Sequence, residues 1–380
     1  MGDRIMATTI NADTSEGLKF NSDTSGELEL QSGGVTQAKI TSSGLQNASG
    51  SAIIPQAGQN LIINGNMAID QRNAGASATS NANVYMTDRF QLQMGLVTNV
   101  QTYQQVEDAP AGFNKSLKIT SNSTTQATAA GVLCTPRQRI EGFNTAHLNW
   151  GTANAQTVTV SFWVKSSVTG TYPVSLTNNG FDRSFVTNYT VSVANTWEKK
   201  TATIAGDTSG TWTVDNSTGI NVMFSLDTGS TYQTTTGSWQ AGNYRGTSSD
   251  VHFLANASAT WQITGVQLEV GTVATPFENL QYGTQLQLCQ RYYQDYTESN
   301  TIIRGYGYNT SSGMETPFTF KTIMRTAPTM TVVSGGAGGS NTQLTNFGNV
   351  KTYGCDFNTD PTTSNQTNYY QFTFTADAEL

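Results

Sequence analysis

Residue types that commonly perform catalysis are sparse in this chain. The two histidines, His147 and His252, do not stand at the spacing of zinc ligands or in a nucleophilic triad motif. No Gly-x-Ser-x-Gly motif or phosphate-binding loop occurs. The three cysteines are too widely spaced for a zinc site or a disulfide framework, and we expect them to be reduced and buried: Cys134, Cys289 and Cys355.

A pair of carboxylates could hydrolyse a polysaccharide if the fold held them at the required separation. The acids that could serve are Glu141, Asp182, Asp250 and Glu315. They are scattered among 26 acidic residues, so ordinary positions in turns and on solvated faces explain them better. The sequence therefore predicts a protein that is not an enzyme and needs no cofactor. A structural Ca²⁺ ion is possible, but no EF-hand-like loop supports it.

Aromatic and polar side chains cluster in two loop-rich segments. A flat ring can stack on the C–H face of a sugar, and amide, hydroxyl or guanidinium groups can bind its hydroxyls. The candidate ligand-binding residues are Trp212, Tyr232, Tyr244 and Arg245 in the first segment, and Arg304, Tyr306, Tyr308 and Asn309 in the second. Each of them could instead pack inside the fold.

The composition indicates an all-β protein. Only 12% of the residues are charged and 36% are hydrophobic, while aromatic residues reach 10% and there are 36 glycines. Thr and aromatic residues suit strands, and Gly and Asn suit tight turns. The net charge of −7 argues against a nucleic-acid partner, and no apolar window is long enough for a membrane span. The first twenty residues do not resemble a signal peptide.

Strand patterns divide the chain. Residues 59–282 contain alternating segments such as 158–165, VTVSFWVK, and are expected to form an antiparallel sandwich. In residues 261–270 the apolar phase shifts at Thr264-Gly265, which predicts a β-bulge. From residue 297 to residue 380, strand patterns return and predict a small distal β domain.

A linking helix is predicted at residues 283–296. Apolar residues recur there at steps of four, three, four and three: Tyr282, Leu286, Cys289, Tyr293 and Tyr296. The helix either packs three copies of the chain together, through the first four of these residues, or lies on its own sandwich.

The first 58 residues carry short β-like pieces at 18–20, 27–30 and 38–41, separated by Gly, Asp and Ser. A segment this poor in apolar residues cannot build its own core. We expect an intertwined stalk or anchor that joins two other copies of the chain around a three-fold axis, through Leu28, Leu30 and Ile40. A disordered leader is the alternative.

Several motifs occur in a familiar order: 60–72 (NLIINGNMAIDQR), 88–90 (DRF), 138–142 (QRIEG), 161–165 (SFWVK), 238–242 (SWQAG), 263–271 (ITGVQLEVG), 274–278 (ATPFE) and 286–293 (LQLCQRYY). With them the chain resembles phage tail-fibre and virion structural proteins that contain a carbohydrate-binding-module-like jelly-roll domain. The resemblance covers about residues 10–295 and supplies no agreed set of ligand residues.

The resemblance implies a homotrimeric tail-fibre subunit of a bacteriophage. Such a chain would be made in the host cytoplasm and incorporated in the virion. Its residues 1–58 would attach to tail, baseplate or adaptor proteins, and it would bind a host surface glycan, such as lipopolysaccharide, during attachment. The alternatives are a purely structural or decorating virion protein and, less favoured, a polysaccharide depolymerase.

Overall fold

The computed structural model describes residues 28–32, 34–41, 44–47, 60–122, 129–307, 314–336, 342–361 and 366–380. Two compact units divide the chain, Met1–Pro55 and Gln56–Leu380. Almost all of the regular structure is antiparallel β-sheet, so the all-β prediction is confirmed. In the described residues, no helix is long and apolar enough to cross a membrane.

The first unit contains a three-stranded antiparallel meander. Its strands are β1 Leu28–Ser32, β2 Val35–Thr41 and β3 Gly44–Asn47. Leu28 pairs with Ile40, and Ile40 pairs with Leu45, so these three side chains share one face of the sheet. Ile40 and Leu45 are exposed in the single chain. The predicted piece at 18–20 lies outside the described residues, and the three-fold contacts stay a prediction.

The second unit begins with a β-sandwich. Its strands are β4 Ala78–Ser80, β5 Val84–Thr87, β6 Phe90–Gly95, β7 Gln101–Val106, β8 Ser116–Ser121, β9 Leu133–Glu141, β10 Val158–Ser166, β11 Gly170–Thr177, β12 Arg183–Val191, β13 Glu198–Ile204, β14 Thr218–Phe224, β15 Asp227–Thr228, β16 Trp239–Ala241 and β17 Thr260–Val270. Four short 3₁₀ helices lie between strands: Gly142–Asn144, Ala146–Leu148, Ser230–Tyr232 and Phe253–Ala255.

The chain crosses repeatedly between the two sheets of this sandwich, as in a jelly roll. One sheet has six strands in the order β13-β10-β17-β8-β7-β4. The other has eight strands: β16-β12-β11-β14-β9-β6-β5 form its path, and β15 pairs with β9. Between the sheets lies an apolar core in which Phe162 contacts Tyr189 and Phe224 edge-on, with ring centroids 5.0 Å apart in each pair.

A bulge in β17 confirms the predicted change of phase. The register with β10 shifts between Ser161 and Trp163, opposite Gly265. Gly265 has φ +61°, and a Cβ atom there would lie 2.6 Å from the Phe113 ring. A residue without a side chain is therefore required, and the extra residue turns Val266 and Leu268 into the core.

The last part of the chain forms two small sheets. Its strands are β18 Tyr293–Gly307, β19 Met314–Thr319, β20 Thr329–Gly336, β21 Thr342–Gly348, β22 Gly354–Pro361 and β23 Gln366–Asp377. The sheets have the orders β18-β23-β20 and β19-β22-β21. A separate core of phenylalanines lies between them, in which Phe357 contacts Phe372 and Phe374 edge-on.

The linking helix is shorter than predicted, because α1 spans only Tyr282–Gln290. Tyr293 and Tyr296 instead belong to β18, where they pair with β23. Tyr296 also stacks on Phe374, with ring centroids 4.6 Å apart, so sheet pairing and aromatic packing outcompete a second helical repeat.

Two of the predicted trimer contacts near the helix are wrong. Cys289 is completely buried within its own chain and Tyr293 nearly so, which leaves neither available to another copy. Leu286 is half-buried, and Tyr282 is 64% exposed. All three cysteines are buried and unbridged, as expected.

Buried ion pairs join the sandwich to the last part of the chain. Arg89 pairs with Glu379 and lies 3.5 Å from the centre of the Tyr292 ring. Arg72 reaches Glu379 at 3.2 Å and Asp377 at 3.1 Å. These paired charges fix the C-terminal residues against the turn between β5 and β6, because separating them would leave buried charges without partners.

Asp88, next to this network, makes the stability of the fold depend on pH. Burial raises the pKa of its carboxyl to about 7. An unfolded Asp has a pKa of about 4, so the folded state holds the proton of Asp88 more tightly than the unfolded state does. The stabilisation that results is complete below about pH 4 and is lost as the pH rises through about 7. We expect the wild type to lose stability relative to Asp88→Asn between about pH 4 and about pH 7. Urea unfolding followed by tryptophan fluorescence measures the difference.

The matched control is Glu107→Gln, because the Glu107 side chain is 87% exposed. Glu107→Gln should leave the pH dependence of unfolding as it is in the wild type. Parallel stability curves for the wild type and Asp88→Asn would contradict a buried carboxyl with a raised pKa.

Candidate functional site

The eight-stranded sheet has a polar outer face. Side chains alternate along each strand, so the residues between the core positions point away from the other sheet. In register, one row across this outer face runs through Gln91, Arg137, Met223, Ser175 and Val186. All five are buried, which shows that the face is covered.

Two segments cover the outer face. The covering loop, residues 229–250, attaches through backbone and side-chain hydrogen bonds: Gly237 N donates to Val186 O at 3.0 Å, and Asn188 Nδ2 donates to Thr247 Oγ1 at 3.2 Å. The Phe181 turn, residues 178–182, joins β11 to β12. The two meet where Gly242 N donates to Asp182 O at 2.8 Å.

The Phe181 turn holds its aromatic ring in an unusual backbone conformation. Phe181 has φ +55°, a value that costs a bulky residue free energy. The turn is closed by Asn178, whose Oδ1 accepts hydrogen bonds from the backbone N–H groups of Asp182 and Arg183. The ring is half-buried, 4.9 Å from the guanidinium of Arg245 and 6.0 Å from that of Arg137.

Arg137 lies beneath this ring and is 1% exposed. Its Nε and Nη2 both donate to Gln91 Oε1, at 2.9 and 2.6 Å, while its Nη1 has no hydrogen-bond partner among the residues that the structure describes. Burial, and then repulsion from Arg139 and Arg245, lower the pKa of Arg137 to about 9.

Arg245 reaches the same place from the covering loop. It is 2% exposed and donates to Gln93 and to Asn243 Oδ1. Burial lowers its pKa to about 10. Its guanidinium lies 5.5 Å from the centre of the Tyr232 ring. Two buried guanidinium groups therefore lie under half-buried aromatic rings, each held by a neutral side chain.

Further buried polar atoms surround the two arginines. Six of those without a hydrogen-bond partner within the described protein lie on the outer face or under the covering loop: Arg137 Nη1, Ser175 Oγ, Thr177 Oγ1, Asn188 Oδ1, Asn221 Oδ1 and Thr228 Oγ1. A buried polar group without a partner costs about 1–3 kcal/mol. These atoms therefore reduce the stability of this region unless water or a ligand supplies the missing hydrogen bonds.

Three of the four ligand-binding residues predicted in the first segment lie together in the structure. Tyr232, Tyr244 and Arg245 all belong to the covering loop, and Tyr232 and Tyr244 are half-buried. Arg245 is buried, although the sequence places it in a loop-rich segment, because its guanidinium lies beneath the Phe181 ring.

Trp212 belongs to a different place. Its ring packs edge-on against Trp150 and Trp239, with centroids 4.7 and 5.3 Å away, beside a cavity of ≈ 180 Å³. Its indole N–H donates to Ser209 O at 3.1 Å. These contacts give the ring a packing role at one end of the sandwich.

The second predicted cluster remains a prediction. The backbone of Arg304 and Tyr306 belongs to β18. Their side chains, and Tyr308 and Asn309 entirely, lie outside the described residues.

Three of the four candidate acids have structural partners. Glu141 accepts hydrogen bonds from Arg291 and from the Tyr292 hydroxyl, the latter at 2.7 Å. Asp250 accepts from Thr247, and Asp182 accepts from Asn178. Glu315 is exposed on β19. Within the described parts of the chain, no group of His, Cys, Asp and Glu is placed to hold a metal ion.

Sequence reasoning missed Arg137, Phe181, Gln91 and Gln93. The signal was present in Gln91-Leu-Gln93, where polar residues alternate with an apolar one inside a strand, and in Arg137-Gln-Arg139, where three polar residues follow one another in a strand. A polar face on a strand ordinarily faces water. Only the fold shows that the covering loop buries this one.

No protein-family model and no curated protein matches the chain. Among solved structures, the enzymatically active domain of tailspike protein 4 from bacteriophage CBA120 matches 56% of this chain and 22% of its own, with 11% identity and a TM-score of 0.29. The family 11 carbohydrate-binding module of Clostridium thermocellum matches 51% of this chain and 98% of its own, with 12% identity and a TM-score of 0.27.

The CBM22-1 xylan-binding domain from Paenibacillus barcinonensis matches 53% of this chain and 99% of its own, with 11% identity and a TM-score of 0.25. The match to the tailspike covers only about a fifth of that protein. Likenesses with such TM-scores carry no information about what this chain binds. The outer face must be interpreted from its own residues.

Gln91 is the residue that makes burial of Arg137 tolerable. Gln91→Leu removes the acceptor of two guanidinium hydrogen bonds, so we expect it to lower the free energy of unfolding by about 2 kcal/mol. Met223→Leu, in the same row, preserves the volume and should cost less than about 1.5 kcal/mol. Urea denaturation of both variants provides the comparison, and equal costs would contradict a supporting role for Gln91.

Proposed function

We propose that the chain is a non-enzymatic, glycan-binding subunit of a bacteriophage tail fibre, and that its sugar-binding surface is formed by the half-buried side chains over the covered outer face, among them Phe181, Tyr232 and Tyr244. The observation that carries the proposal is the set of half-buried aromatic rings over polar groups that are already held in place. The motifs in residues 60–293, which resemble those of phage fibre proteins, support the assignment to a virion.

Aromatic rings supply the first element of sugar recognition. Phe181, Tyr232 and Tyr244 are each half-buried, so part of each remains accessible. A ring held by a tight turn can stack on a sugar with little loss of conformational entropy. Phe181 meets this requirement best, because the hydrogen bonds of Asn178 close its turn.

Polar groups supply the second element. Gln93 is half-buried and linked to Arg245, and the half-buried Arg139 follows Arg137 on the same face. An amide group can donate one hydrogen bond to a sugar hydroxyl and accept another, and a guanidinium group can donate two at once. Because Gln91 and Gln93 hold Arg137 and Arg245, ligand binding need not order those two arginines.

The fibre part of the proposal concerns the first unit. The shared face of Leu28, Ile40 and Leu45 is too small to form a core within one chain. Two further copies of the chain would cover it around a three-fold axis. Residues 1–58 would also attach the fibre to tail, baseplate or adaptor proteins of the particle.

The proposal excludes catalysis and a cofactor. It is supported by the candidate acids themselves, since Glu141 is neutralised by Arg291 and Asp250 is bound to Thr247. Groups that are already engaged in this way serve the fold and do not resemble an acid–base pair.

Glycan binding can be measured with the purified chain on an array of bacterial surface glycans. We expect the wild type to bind, and Phe181→Ala to lower the affinity by about tenfold because the stacking surface is lost. Tyr232→Ala should weaken binding in the same direction.

The matched control is Phe143→Ala, which removes an aromatic ring that is 59% exposed outside the outer face. This variant should bind as the wild type does. If no glycan is bound while the chain still assembles into virions, the structural or decorating alternative is correct. Release of reducing ends from a bound glycan would instead support the depolymerase.

Trimer formation can be tested at the first unit. The double change Leu28→Asp and Ile40→Asp introduces charges on the shared face, so we expect the mass from light scattering to fall from a trimer to a monomer. Gln37→Asp, on the opposite face of β2, is the control and should stay trimeric. A monomeric wild type would contradict the three-fold account.

A further inference from the structure

Three arginines share the outer face. Arg137 and Arg139 alternate along β9, where they pair with Met223 and Asn221 of β14. Arg245 approaches from the covering loop. The three charges repel one another: Arg139 and Arg245 lower the pKa of Arg137, and Arg139 lowers the pKa of Arg245. The face therefore concentrates positive charge on a chain whose net charge is −7.

The acceptors around these arginines are neutral. Gln91 accepts from Arg137, and Gln93 and Asn243 accept from Arg245. Among the described residues, no carboxylate forms an ion pair with Arg137, Arg139 or Arg245. Elsewhere among the described residues of the second unit, four arginines pair with Asp or Glu: Arg72, Arg89, Arg183 and Arg291.

Buried guanidinium groups without counter-ions are costly, because burial removes water and the like charges repel. The protein keeps two of them nine-tenths buried or more, and Nη1 of Arg137 has no hydrogen-bond partner in the described part of the chain. A fold selected for stability alone would place a carboxylate or an apolar residue there. The cost is offset when an anion binds nearby, since the low surrounding dielectric strengthens the attraction.

We propose that the ligand of the outer face is an anionic sugar, bearing a carboxylate or a phosphate group that Arg139, Arg137 and Arg245 attract. The inference rests on the proposed function for the sugar part of the ligand. The half-buried Arg139 makes the direct contact, while the two buried arginines supply the field beneath it.

The test compares three groups of probes: neutral gluco- and galacto-oligosaccharides, uronic-acid oligosaccharides, and lipopolysaccharide core oligosaccharides before and after enzymatic dephosphorylation. We expect uronates or phosphorylated cores to bind at least about tenfold more tightly than their neutral counterparts. The preference should weaken as the salt concentration rises. A loss of binding on dephosphorylation identifies phosphate as the recognised group, and retained uronate binding identifies carboxylate.

Substitutions assign the preference to the outer face. Arg139→Gln should weaken the binding of anionic sugars about tenfold more than the binding of their neutral counterparts, while Arg139→Lys should restore part of the preference for anionic sugars. Lys199→Gln removes the same charge from an exposed position on the other sheet and is the control. Thermal unfolding with glucuronate, glucose and inorganic phosphate gives a second readout, in which only the anions should raise Tm of the wild type.

The possible failures are distinguishable. Equal binding of neutral and anionic sugars, unchanged by Arg139→Gln, would overturn the anionic inference and leave glycan binding intact. No binding of any glycan would overturn the proposed function. If the anions also failed to raise Tm, the anionic inference would fall with it.

Discussion

The second unit depends on one constraint: the eight-stranded sheet buries both of its faces. Its inner face is apolar and packs against the six-stranded sheet, whereas its outer face is polar and lies under the covering loop. The hydrogen bonds from Arg137 to Gln91 make the second burial possible, since a guanidinium cannot be removed from water without acceptors.

This arrangement separates stability from binding. The core between the sheets and the phenylalanine core of the last part supply apolar burial, and the ion pairs of Arg72 and Arg89 fix the two together. The outer face instead carries features that lower stability. These are the positive φ of Phe181, arginines without a carboxylate partner among the described residues, and buried polar atoms without a hydrogen-bond partner there. Costs of this kind are tolerated where they prepare a surface for a ligand.

Sequence reasoning succeeded where one local pattern decides the structure. Alternation in β10 and the change of phase at Gly265 were sufficient for the sandwich and its bulge. It failed where a segment distant in the sequence determines the local structure. Tyr293 and Tyr296 have heptad spacing, which predicts a helix, but they form a strand because they pair with β23. Arg245 was recognised as a candidate, but its burial was not, because the partners Phe181 and Gln93 lie far away in the sequence.

The central claim is that a glycan binds on the outer face. Hydrogen–deuterium exchange of the full chain, with and without a glycan that it binds, tests this claim most directly. The account predicts slower exchange in the Phe181 turn and the covering loop, with little change in the six-stranded sheet. Protection confined to the Arg304–Asn309 segment, or to the tryptophan cluster at Trp212, would contradict it.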